Sequence, residues 1–511
     1  MYSKVTSGTI FGLNSHLITV EVDFSNGLPC VVMVGHLSGE VKESSERVRI
    51  ALKNVGIFLP PMHIAINLSP ADIKKSGTGF DLPIALGILE AMERLDSTSC
   101  ENTLALGELG LNGEVKRVNG VMPIVLEASK RGITTCLVPI ENAKEASLVK
   151  NVKVIGISNL LEAIEYLKTD ETKRSSIIKP TSCDYDLADY NKITCDFNEI
   201  SGQENLKRGA LIAASGFHHM LIMGPPGTGK TMIAKRMPSI LPPLSEKEIM
   251  DVTSIYSIAG KLTKSKPIVK MRPFVSPHHT VSPVGMAGGG IIPKPGAVSL
   301  AHKGILFLDE LPEFQRPSID MLRQPLEEKS INISRASGFF NYPADIMLVA
   351  AMNPCPCGYY PDLNKCTCTQ VAVQNYLSHI SGPIMDRIDV CLTANKMSVS
   401  ELQNGKSKNI SSKELSEMVL RARNVQEKRY KGTNYEFNAD LDIAGIKKFC
   451  KLGVKEKELM EKLCENLDIS ARSYHRILKV SRTIADLDES ENIEERHLVE
   501  AVCLRPQLPK M

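Results

Sequence analysis

The length, composition and charge of the chain exclude several classes of protein. At 511 residues it is too long for one hydrophobic core, and about three domains are expected. All apolar runs are shorter than the roughly 20 residues of a membrane span, and the net charge of +3 is too small to indicate a nucleic-acid partner by itself. The thirteen cysteines are an odd number, which indicates reduced thiols rather than a disulfide framework. The chain also lacks the pattern of a signal peptide, so we expect a cytoplasmic protein without membrane contact.

The first 168 residues have the pattern of an α/β domain. Hydrophobicity alternates along residues 8–35 as it does in strands, and apolar residues then recur with helical spacing. The pattern predicts helices over 43–55 and 82–94 and strands over 62–68 and 103–109. We therefore predict one α/β domain over residues 1–168.

A linker and two further units complete the predicted organisation. Residues 169–191 mix charged residues, Ser and Pro without an apolar period, which is typical of a linker or a surface strap. A second α/β unit is predicted over residues 192–396. Beyond it, apolar residues recur at helical spacing, as at Leu415 and Val419, and predict a helical domain over residues 397–511.

A phosphate-binding loop lies between an apolar run and a segment of helical character. The loop has the complete pattern GxxxxGK[ST] and comprises Gly224, Pro225, Pro226, Gly227, Thr228, Gly229, Lys230 and Thr231. Glycines let successive backbone amides face one anion. Lys230 is then expected to reach the β and γ phosphates, and the Thr231 hydroxyl to hold Mg²⁺. A glycine-rich turn without a ligand is the alternative, and the complete motif with its flanks favours a nucleotide site.

Two acidic residues and an asparagine follow strand-like segments later in the same unit. Asp309 and Glu310 end the apolar run 305–308, so Asp309 is predicted to position Mg²⁺ and Glu310 to act as general base toward the attacking water. Asn353 ends a strand predicted over 345–352, and its amide can orient water against the γ phosphate. The alternative for this asparagine is a turn-forming role before a proline.

Arginines are the residues expected to stabilise transition-state charge at the nucleotide. Arg387 lies in the sequence DRID, and Arg472 lies at the head of a predicted helix. An arginine can act on the nucleotide of a neighbouring chain only if subunits pack around that nucleotide. Arg323 and Arg335 are alternatives that could also reach across such an interface.

These motifs, in this order, resemble the magnesium-chelatase-like AAA+ ATPases and, more closely, the YifB/ComM family. The resemblance includes PHHT at 277–280, LRQPLEE at 322–328 and RTIADL at 482–487, and it covers essentially the whole chain. It implies a P-loop AAA+ core of α/β fold, a carboxy-terminal helical lid domain, and a homo-hexameric ring with ATP and Mg²⁺ at the subunit boundaries. The implied roles are Walker A for Lys230 and Thr231, Walker B for Asp309 and Glu310, sensor 1 for Asn353, arginine finger for Arg387 and sensor 2 for Arg472.

The first domain resembles Lon protease, a Ser-Lys hydrolase, in two blocks at 75–82 and 107–120. This resemblance implies the α/β fold that Lon shares with the second domain of ribosomal protein S5. The ungapped alignment places Gly79 where the nucleophilic serine would be and Met122 where the lysine base would be. Because neither residue can serve a Ser-Lys mechanism, we expect a proteolytically inactive domain that assists assembly or substrate binding.

Four cysteines cluster directly after Asn353 with the spacing C-x-C-x₈-C-x-C, at Cys355, Cys357, Cys366 and Cys368. A hairpin would bring four thiolates together, and four thiolates suit a tetrahedral structural Zn²⁺. The paired spacing is C-x-C rather than the commoner C-x-x-C. Free thiols and a redox disulfide therefore stay open as alternatives.

Positive charge concentrates between the two Walker motifs. Lys264, Lys266 and Lys270 lie close together in sequence, and Arg335 lies on a predicted β-hairpin that follows a glycine-rich loop at 285–294. In a ring these segments could face a channel and contact the phosphates of a nucleic acid. A solvated basic surface is the alternative.

A pair of adjacent histidines, His278 and His279, precedes this loop. On a strand their side chains would face opposite ways and could not chelate one metal ion together. We therefore expect a structural or nucleotide-proximal role for the pair.

The function implied by the resemblance is that of an ATP-driven ring motor on DNA. Such a motor would be a branch-migration helicase in recombination or natural transformation, with single-stranded or branched DNA as its partner. A chelatase-type ATPase that remodels a protein partner is the second interpretation, and the two differ in whether a basic channel for a polymer exists. A third, a ring that binds nucleotide with little hydrolysis, is disfavoured by Glu310.

Overall fold

The fold contains two sheets flanked by helices and a carboxy-terminal group of helices, and the predicted α/β class is confirmed. The computed structural model describes residues 2–182, 195–290, 293–335, 338–362, 364–395 and 409–505. The predicted domain boundaries near residues 191 and 396 lie outside these ranges.

The first unit is built on a mixed sheet. Its strands are β1 (Tyr2–Phe11), β2 (Asn14–Ser25), β3 (Cys30–Val34), β4 (His63–Ser69), β5 (Thr103–Ala105), β6 (Glu108–Leu109), β7 (Val115–Lys116), β8 (Thr135–Pro139) and β9 (Lys153–Ile157). The main sheet has the order β3-β4-β2-β1-β5-β8-β9, and β2 pairs antiparallel with both β1 and β4 while the other pairings are parallel. The helices of this unit are Gly39–Lys42, Ser44–Asn54, Asp81–Ala91, Val121–Lys130, Ile140–Ala146 and Leu160–Lys168.

Gly107 divides the strand that the sequence predicts over 103–109. Its amide donates to the Gly79 carbonyl at 3.0 Å, and its carbonyl accepts from the Leu82 amide at 2.9 Å. Both backbone groups therefore bond to the segment that begins the helix Asp81–Ala91, and they are not available to a continuous ladder. The prediction of one strand was wrong for this reason, and two short strands take its place.

Residues 169–182, the described part of the predicted linker, run along the surface of the first unit. They include a one-turn helix, Arg174–Ile177. The Thr181 amide donates to the carbonyl of Val154 in β9 at 2.8 Å. This part of the segment is a surface strap, and residues 183–191 lie outside the described ranges.

The second unit is built on a parallel sheet with two small hairpins. Its strands are β10 (Met220–Met223), β11 (Phe274–Val275), β12 (Gly288–Gly289), β13 (Lys294–Pro295), β14 (Ile305–Leu308), β15 (Ser330–Arg335), β16 (Gly338–Pro343), β17 (Met347–Met352) and β18 (Val390–Thr393). Its helices are Glu204–Gly216, Lys230–Arg236, Glu246–Ile258, Pro283–Ala287, Ala297–Leu300, Arg316–Asp320, Arg323–Glu328, Gln370–Ser378 and Gly382–Met385.

The order of the parallel sheet, β11-β14-β17-β10-β18, determines which loops meet. β10, β14 and β17 are buried along their whole lengths, as continuous apolar strands covered on both faces are. Because these three strands are neighbours and parallel, their carboxyl ends lie side by side at one edge. The residues that follow each of them are therefore brought together.

The carboxy-terminal helices are Ser412–Tyr430, Ile443–Phe449, Val454–Leu467, Ala471–Leu487 and Glu495–Cys503. The first and fourth of these pack against the helix Glu204–Gly216, and one continuous hydrophobic core includes side chains of these helices and of the parallel sheet. His218 and Thr483 form a buried hydrogen bond of 2.7 Å across the contact. None of the helices in the described ranges combines the length and the apolarity of a membrane span.

The first unit contacts the second mainly through the helix Glu246–Ile258. This helix packs against Val121–Lys130. A small buried cluster at this contact consists of Met122, Leu148, Leu244 and Ile249. Nearby, the rings of Phe11 and Phe340 lie with their centroids 4.8 Å apart. The two units thus share apolar surface at two places.

Candidate nucleotide site and cysteine cluster

The phosphate loop connects β10 to the helix Lys230–Arg236 at the carboxyl edge of the parallel sheet. Gly227 and Gly229 have φ of 76° and 85°, a region that other residues rarely adopt, and no atom lies within 4 Å of where their side chains would begin. Gly224 packs against Ala394, whose carbonyl oxygen would lie 2.5 Å from an added Cβ. The loop is therefore anchored at its start and open along its middle, and this open cradle of amides fits a phosphate chain.

The Lys230 ammonium lies at the base of the loop. It donates to two loop carbonyls at 2.7 and 2.9 Å and to Oδ1 of Asn353 at 3.1 Å. Burial lowers the pKa of Lys230, and the negative charges of Asp309 and Glu310 act in the opposite direction. The ammonium is thus half-buried, and its hydrogen bonds go to neutral acceptors that an anionic ligand can replace.

Thr231 and Asp309 meet where β14 ends. The Thr231 hydroxyl donates to Oδ2 of Asp309 at 2.9 Å, and Oδ1 accepts from the Glu310 amide at 3.1 Å. Hydroxyl and carboxylate oxygens are the ligands that Mg²⁺ prefers, so this pair fits that ion. Glu310 adopts a left-handed conformation, with φ of 54°, and is exposed to solvent. The structure thus brings the predicted Lys230, Thr231, Asp309 and Asn353 together, with Glu310 adjoining.

Gln203 also belongs to the site and was not among the predicted residues. It precedes the helix Glu204–Gly216, and its side-chain amide donates to the carbonyls of Thr228 at 3.3 Å and Asn395 at 2.7 Å. The side chain therefore ties the phosphate loop to the segment that follows β18. The only signal in the sequence is its position just before a helix, which does not distinguish it from many other helix-flanking residues.

Arg387 and Arg472 converge on one carboxylate, that of Glu327. Arg387 donates to Oε1 of Glu327, and Arg472 lies 3.6 Å from the same oxygen. Arg472 also lies 3.8 Å from a carboxylate oxygen of Asp386. Among the described residues, neither arginine bonds to the phosphate loop of its own chain. The structure groups the two predicted arginines with each other and apart from that loop.

The two alternative arginines have different surroundings. Arg323, the first residue of its helix, pairs with Asp320, the last residue of the preceding helix, at 2.8 Å. Arg335 ends β15 and lies beside Gly289, where an added Cβ would come within 3.1 Å of the guanidinium. The predicted β-hairpin and glycine-rich loop are therefore neighbours.

The residues predicted to contact nucleic acid do not line one groove. Lys266 and Lys270 line a groove of about 1030 Å³ that the first unit also contributes to. The other lysines of this groove are Lys144, Lys235 and Lys261. Lys264 is exposed outside the groove, and Arg335 lies on the β15–β16 hairpin. Of the four predicted residues, Lys266 and Lys270 therefore share one groove, and Lys264 and Arg335 do not line it.

The four predicted cysteines converge. Their sulfur atoms all lie within 4.8 Å of one another, and Cys355 Sγ is 3.3 Å from Cys357 Sγ and 3.8 Å from Cys366 Sγ. A tetrahedral Zn²⁺ with Zn–S bonds of about 2.3 Å separates its sulfurs by about 3.8 Å, whereas a disulfide needs about 2.05 Å. The measured separations are those of unbonded sulfurs, and the all-sulfur donor set, which includes Cys368, fits a thiophilic metal ion.

Gly79 and Met122, the positions aligned with a serine nucleophile and a lysine base, have apolar surroundings. A Cβ at Gly79 would contact the side chains of Leu106 and Val118. Met122 is fully buried between the units, and its sulfur accepts from the Ser254 hydroxyl at 2.8 Å. Position 122 therefore takes part in packing between the two units.

The histidine pair differs from the expectation for a strand. β11 ends before it, and the Val281 amide donates to the His278 carbonyl at 2.9 Å, which closes a turn. The two rings lie with centroids 4.1 Å apart, and His279 makes an edge contact with Phe314. The segment turns here instead of extending, so the strand geometry considered for this pair does not apply.

The parallel sheet, the phosphate loop after β10 and the acidic strand end beside it define a P-loop nucleotide-binding protein. Three family models match the chain. They are described as "Magnesium chelatase, subunit ChlI" over residues 196–402, "Subunit ChlI of Mg-chelatase" over 20–142 and "Magnesium chelatase, subunit ChlI C-terminal" over 409–505.

Individual relatives agree with these matches. Competence protein ComM of Haemophilus influenzae is 41% identical over 505 residues, which is 98% of this chain and 97% of that protein. The uncharacterized protein YifB of Escherichia coli is 40% identical over 503 residues, again 98% of this chain and 97% of the relative. DNA repair protein RadA of Streptococcus pneumoniae is 26% identical over 157 residues, 31% of this chain and 32% of that protein. The chain therefore belongs to the YifB/ComM family of magnesium-chelatase-like AAA+ ATPases.

Proposed function

We propose that the chain is an ATP-hydrolysing ring motor that acts on DNA, by branch migration or helicase activity in recombination or natural transformation. The convergence of Lys230, Thr231, Asp309 and Asn353 within hydrogen-bond distance at one sheet edge carries the ATPase part of the proposal. Family membership supports the same part. The 41% identity with a protein named for competence supports the DNA part.

In this proposal the phosphate loop and Lys230 bind the ATP phosphates. Thr231 and Asp309 hold Mg²⁺, which neutralises charge on the phosphates when it is bound. Glu310 accepts the proton of the attacking water, and Asn353 orients that water. The proposed cofactors are ATP, Mg²⁺ and a structural Zn²⁺ on the four cysteines.

The proposed assembly is a homo-hexamer with nucleotide between subunits. Arg387 and Arg472 lie together on Glu327 and make no described bond to their own phosphate loop. This arrangement supports a role on the nucleotide of a neighbouring subunit, where an arginine stabilises the charge of the transition state.

Single-stranded or branched DNA is the proposed polymer. The five-lysine groove that contains Lys266 and Lys270 provides positive charge, and Arg335 adds a second basic position on the β15–β16 hairpin. Such charge attracts the phosphate backbone whatever the base sequence. The partial likeness to a protein named for DNA repair also supports this choice.

A chelatase-type ATPase that remodels a protein partner is the second candidate. All three matching family models carry the description of a magnesium chelatase subunit, which favours this candidate. It shares the ATP chemistry with the first candidate and differs in having no nucleic acid to move.

The ATPase rate, measured without DNA and with single-stranded, double-stranded and branched DNA, separates these candidates. We expect stimulation by single-stranded or branched DNA that weakens as salt is added, because phosphate contacts release counterions. Glu310→Gln should still bind ATP and hydrolyse it roughly 10²-fold or more slowly, since a general base contributes about that much.

Glu313→Gln is the matched control, because this exposed glutamate lies three residues further on, outside the proposed machinery. It should hydrolyse ATP at the wild-type rate. Normal basal hydrolysis without stimulation and without salt-sensitive DNA binding would favour the protein-remodelling candidate. Wild-type hydrolysis by Glu310→Gln would contradict the role given to that residue.

A further inference from the structure

The cysteine cluster touches the phosphate loop. Cys355 comes two residues after Asn353, whose side chain accepts from the Lys230 ammonium at 3.1 Å. Gly358, in the turn between the two cysteine pairs, is buried against Pro226 of the loop, and an added Cβ there would lie 2.6 Å from Pro226 Cδ. The segment that carries the cysteines therefore reaches the nucleotide site at two points.

We propose that Cys355, Cys357, Cys366 and Cys368 bind one Zn²⁺, and that this zinc knuckle braces the phosphate loop through the contact between Gly358 and Pro226. Occupancy of the metal site then sets the affinity of the loop for ATP. The inference rests on the proposed function for its nucleotide, and it adds to that function a positioning contact controlled by a metal ion.

The chemistry of the cluster selects zinc. Four thiolates without an oxygen ligand favour a soft, tetrahedral ion. The backbone adds support, because the Tyr360 amide points at Cys355 Sγ from 3.4 Å, and such N–H contacts orient a sulfur ligand and stabilise its charge. Cys357 and Cys366, from the two different pairs, already have sulfurs 3.5 Å apart. The ligands are thus assembled on one site by the fold.

The segment that carries the cysteines has no helix or strand of its own among the described residues. Between Cys355 and Cys368 the described residues form turns rather than a helix or a strand. Its ends are attached to β17 and to the helix Gln370–Ser378, which packs Val373 and Leu377 into the core. A short segment of this kind gains its fixed shape from metal binding, since ligand binding and local folding are coupled. Loss of the ion would therefore release the contact of Gly358 with Pro226.

Two variants test the metal and the contact separately. Cys366→Ser with Cys368→Ser removes half of the ligands. Gly358→Ala leaves all four cysteines and places a Cβ against Pro226, in a conformation with φ of 85°. Gly432→Ala is the matched control, because Gly432 has φ of 80° and no atom within 4 Å of an added Cβ.

Zinc is measured by mass spectrometry on protein purified under reducing conditions without an affinity tag. ATP affinity is measured by titration with the fluorescent analogue mant-ATP.

We expect about one zinc per chain in wild type, Gly358→Ala and Gly432→Ala, and less than roughly 0.2 in the double cysteine variant. The dissociation constant for mant-ATP should rise roughly tenfold in Gly358→Ala and in the double variant, because small displacements of binding groups have effects of this size or larger. Gly432→Ala should bind like wild type.

Each of the other outcomes contradicts one identifiable part of the proposal. Wild type without zinc, or with iron in its place, overturns the zinc site. If zinc-loaded Gly358→Ala binds mant-ATP as tightly as Gly432→Ala does, the proposed effect of the Gly358–Pro226 contact on ATP affinity is contradicted. The proposed function is unaffected by that result. Zinc-loaded wild type that binds no mant-ATP overturns the proposed function, and the brace with it.

Discussion

Among single residues, Glu327 determines where two arginines lie in the isolated chain. Its side chain is half-exposed, accepts a hydrogen bond from Arg387 and forms an ion pair with Arg472 at 3.6 Å, and the two arginines come from segments far apart in sequence. An exposed ion pair contributes only about 0.2–1 kcal/mol. In the proposed ring, the phosphates of a nucleotide bound to a neighbouring subunit carry more charge than one carboxylate, and they would replace Glu327 as the partner of these arginines.

We predict that Glu327→Gln makes nucleotide-dependent assembly easier. The neutral amide holds the arginines less strongly, so rings should form at a protein concentration roughly two- to fivefold lower, which is the factor that corresponds to about 0.5–1 kcal/mol. Sedimentation velocity in the presence of ATP measures this concentration. Glu328→Gln, which alters a carboxylate bonded to Gln324 instead, is the control. Weaker assembly in Glu327→Gln would show that the glutamate holds the arginines in their working position.

Among the elements, the helix Asp81–Ala91 shows how burial changes the chemistry of a side chain. Every residue of this helix is buried, and it lies at the centre of the first unit against β1 and β2. Glu90 is among them, and burial raises its pKa to about 7. The charge of Glu101 also raises this pKa, whereas the hydrogen bond from the Lys4 amide lowers it. The carboxyl group is therefore about half protonated near pH 7 and ionised only above it.

We predict that Glu90→Gln stabilises the first unit at high pH and not at low pH. The unfolded chain ionises this group near pH 4.5 and the folded chain near pH 7, so wild-type stability falls as the pH rises between these values and the penalty is constant above them. The amide avoids this penalty, and the gain at pH 8 should be about 1–3 kcal/mol, with little gain at pH 4.5. Urea unfolding at both pH values measures it. Glu165→Gln, on an exposed helix face, should change stability at neither pH.

In the whole molecule, the turn that carries Arg387 is joined by hydrogen bonds to the carboxy-terminal helices. Arg476, one turn beyond Arg472, donates to the carbonyls of Met385 and Ile388 at 3.1 and 2.6 Å, on either side of Arg387. The helices also share one hydrophobic core with the parallel sheet. In the proposed ring, a neighbouring subunit that binds the two arginines would therefore engage a turn that is bonded to the carboxy-terminal helices.

We predict that Arg387→Ala abolishes hydrolysis without preventing assembly. An arginine that stabilises the transition state from a neighbouring subunit contributes roughly 10³-fold or more to the rate, whereas the area of a subunit interface is much larger than one side chain. ATPase assays and sedimentation on the same samples measure the two properties. Arg316→Ala, which removes an exposed arginine, is the control. Substantial hydrolysis by assembled Arg387→Ala would contradict the assignment.

The sequence by itself determined the features that depend on neighbouring residues. A phosphate loop needs glycines at fixed spacing, and a buried parallel strand needs a continuous apolar run, so both are visible in the order of the chain. The predicted helix over 43–55 corresponds to Ser44–Asn54, and the predicted strand over 62–68 to His63–Ser69. The cysteine spacing likewise identified four side chains that do converge.

Only the tertiary structure decided which distant residues meet. Gln203 binds the phosphate loop 25 residues away, Glu327 accepts from Arg387 across 60 residues, and the contact of Gly358 with Pro226 joins still more distant segments. These contacts follow from the strand order β11-β14-β17-β10-β18, which is not the order of the chain. Local patterns reflect interactions over a few residues, whereas strand order depends on how whole elements bury their apolar faces together, and this is why the motifs were predictable and their contacts were not.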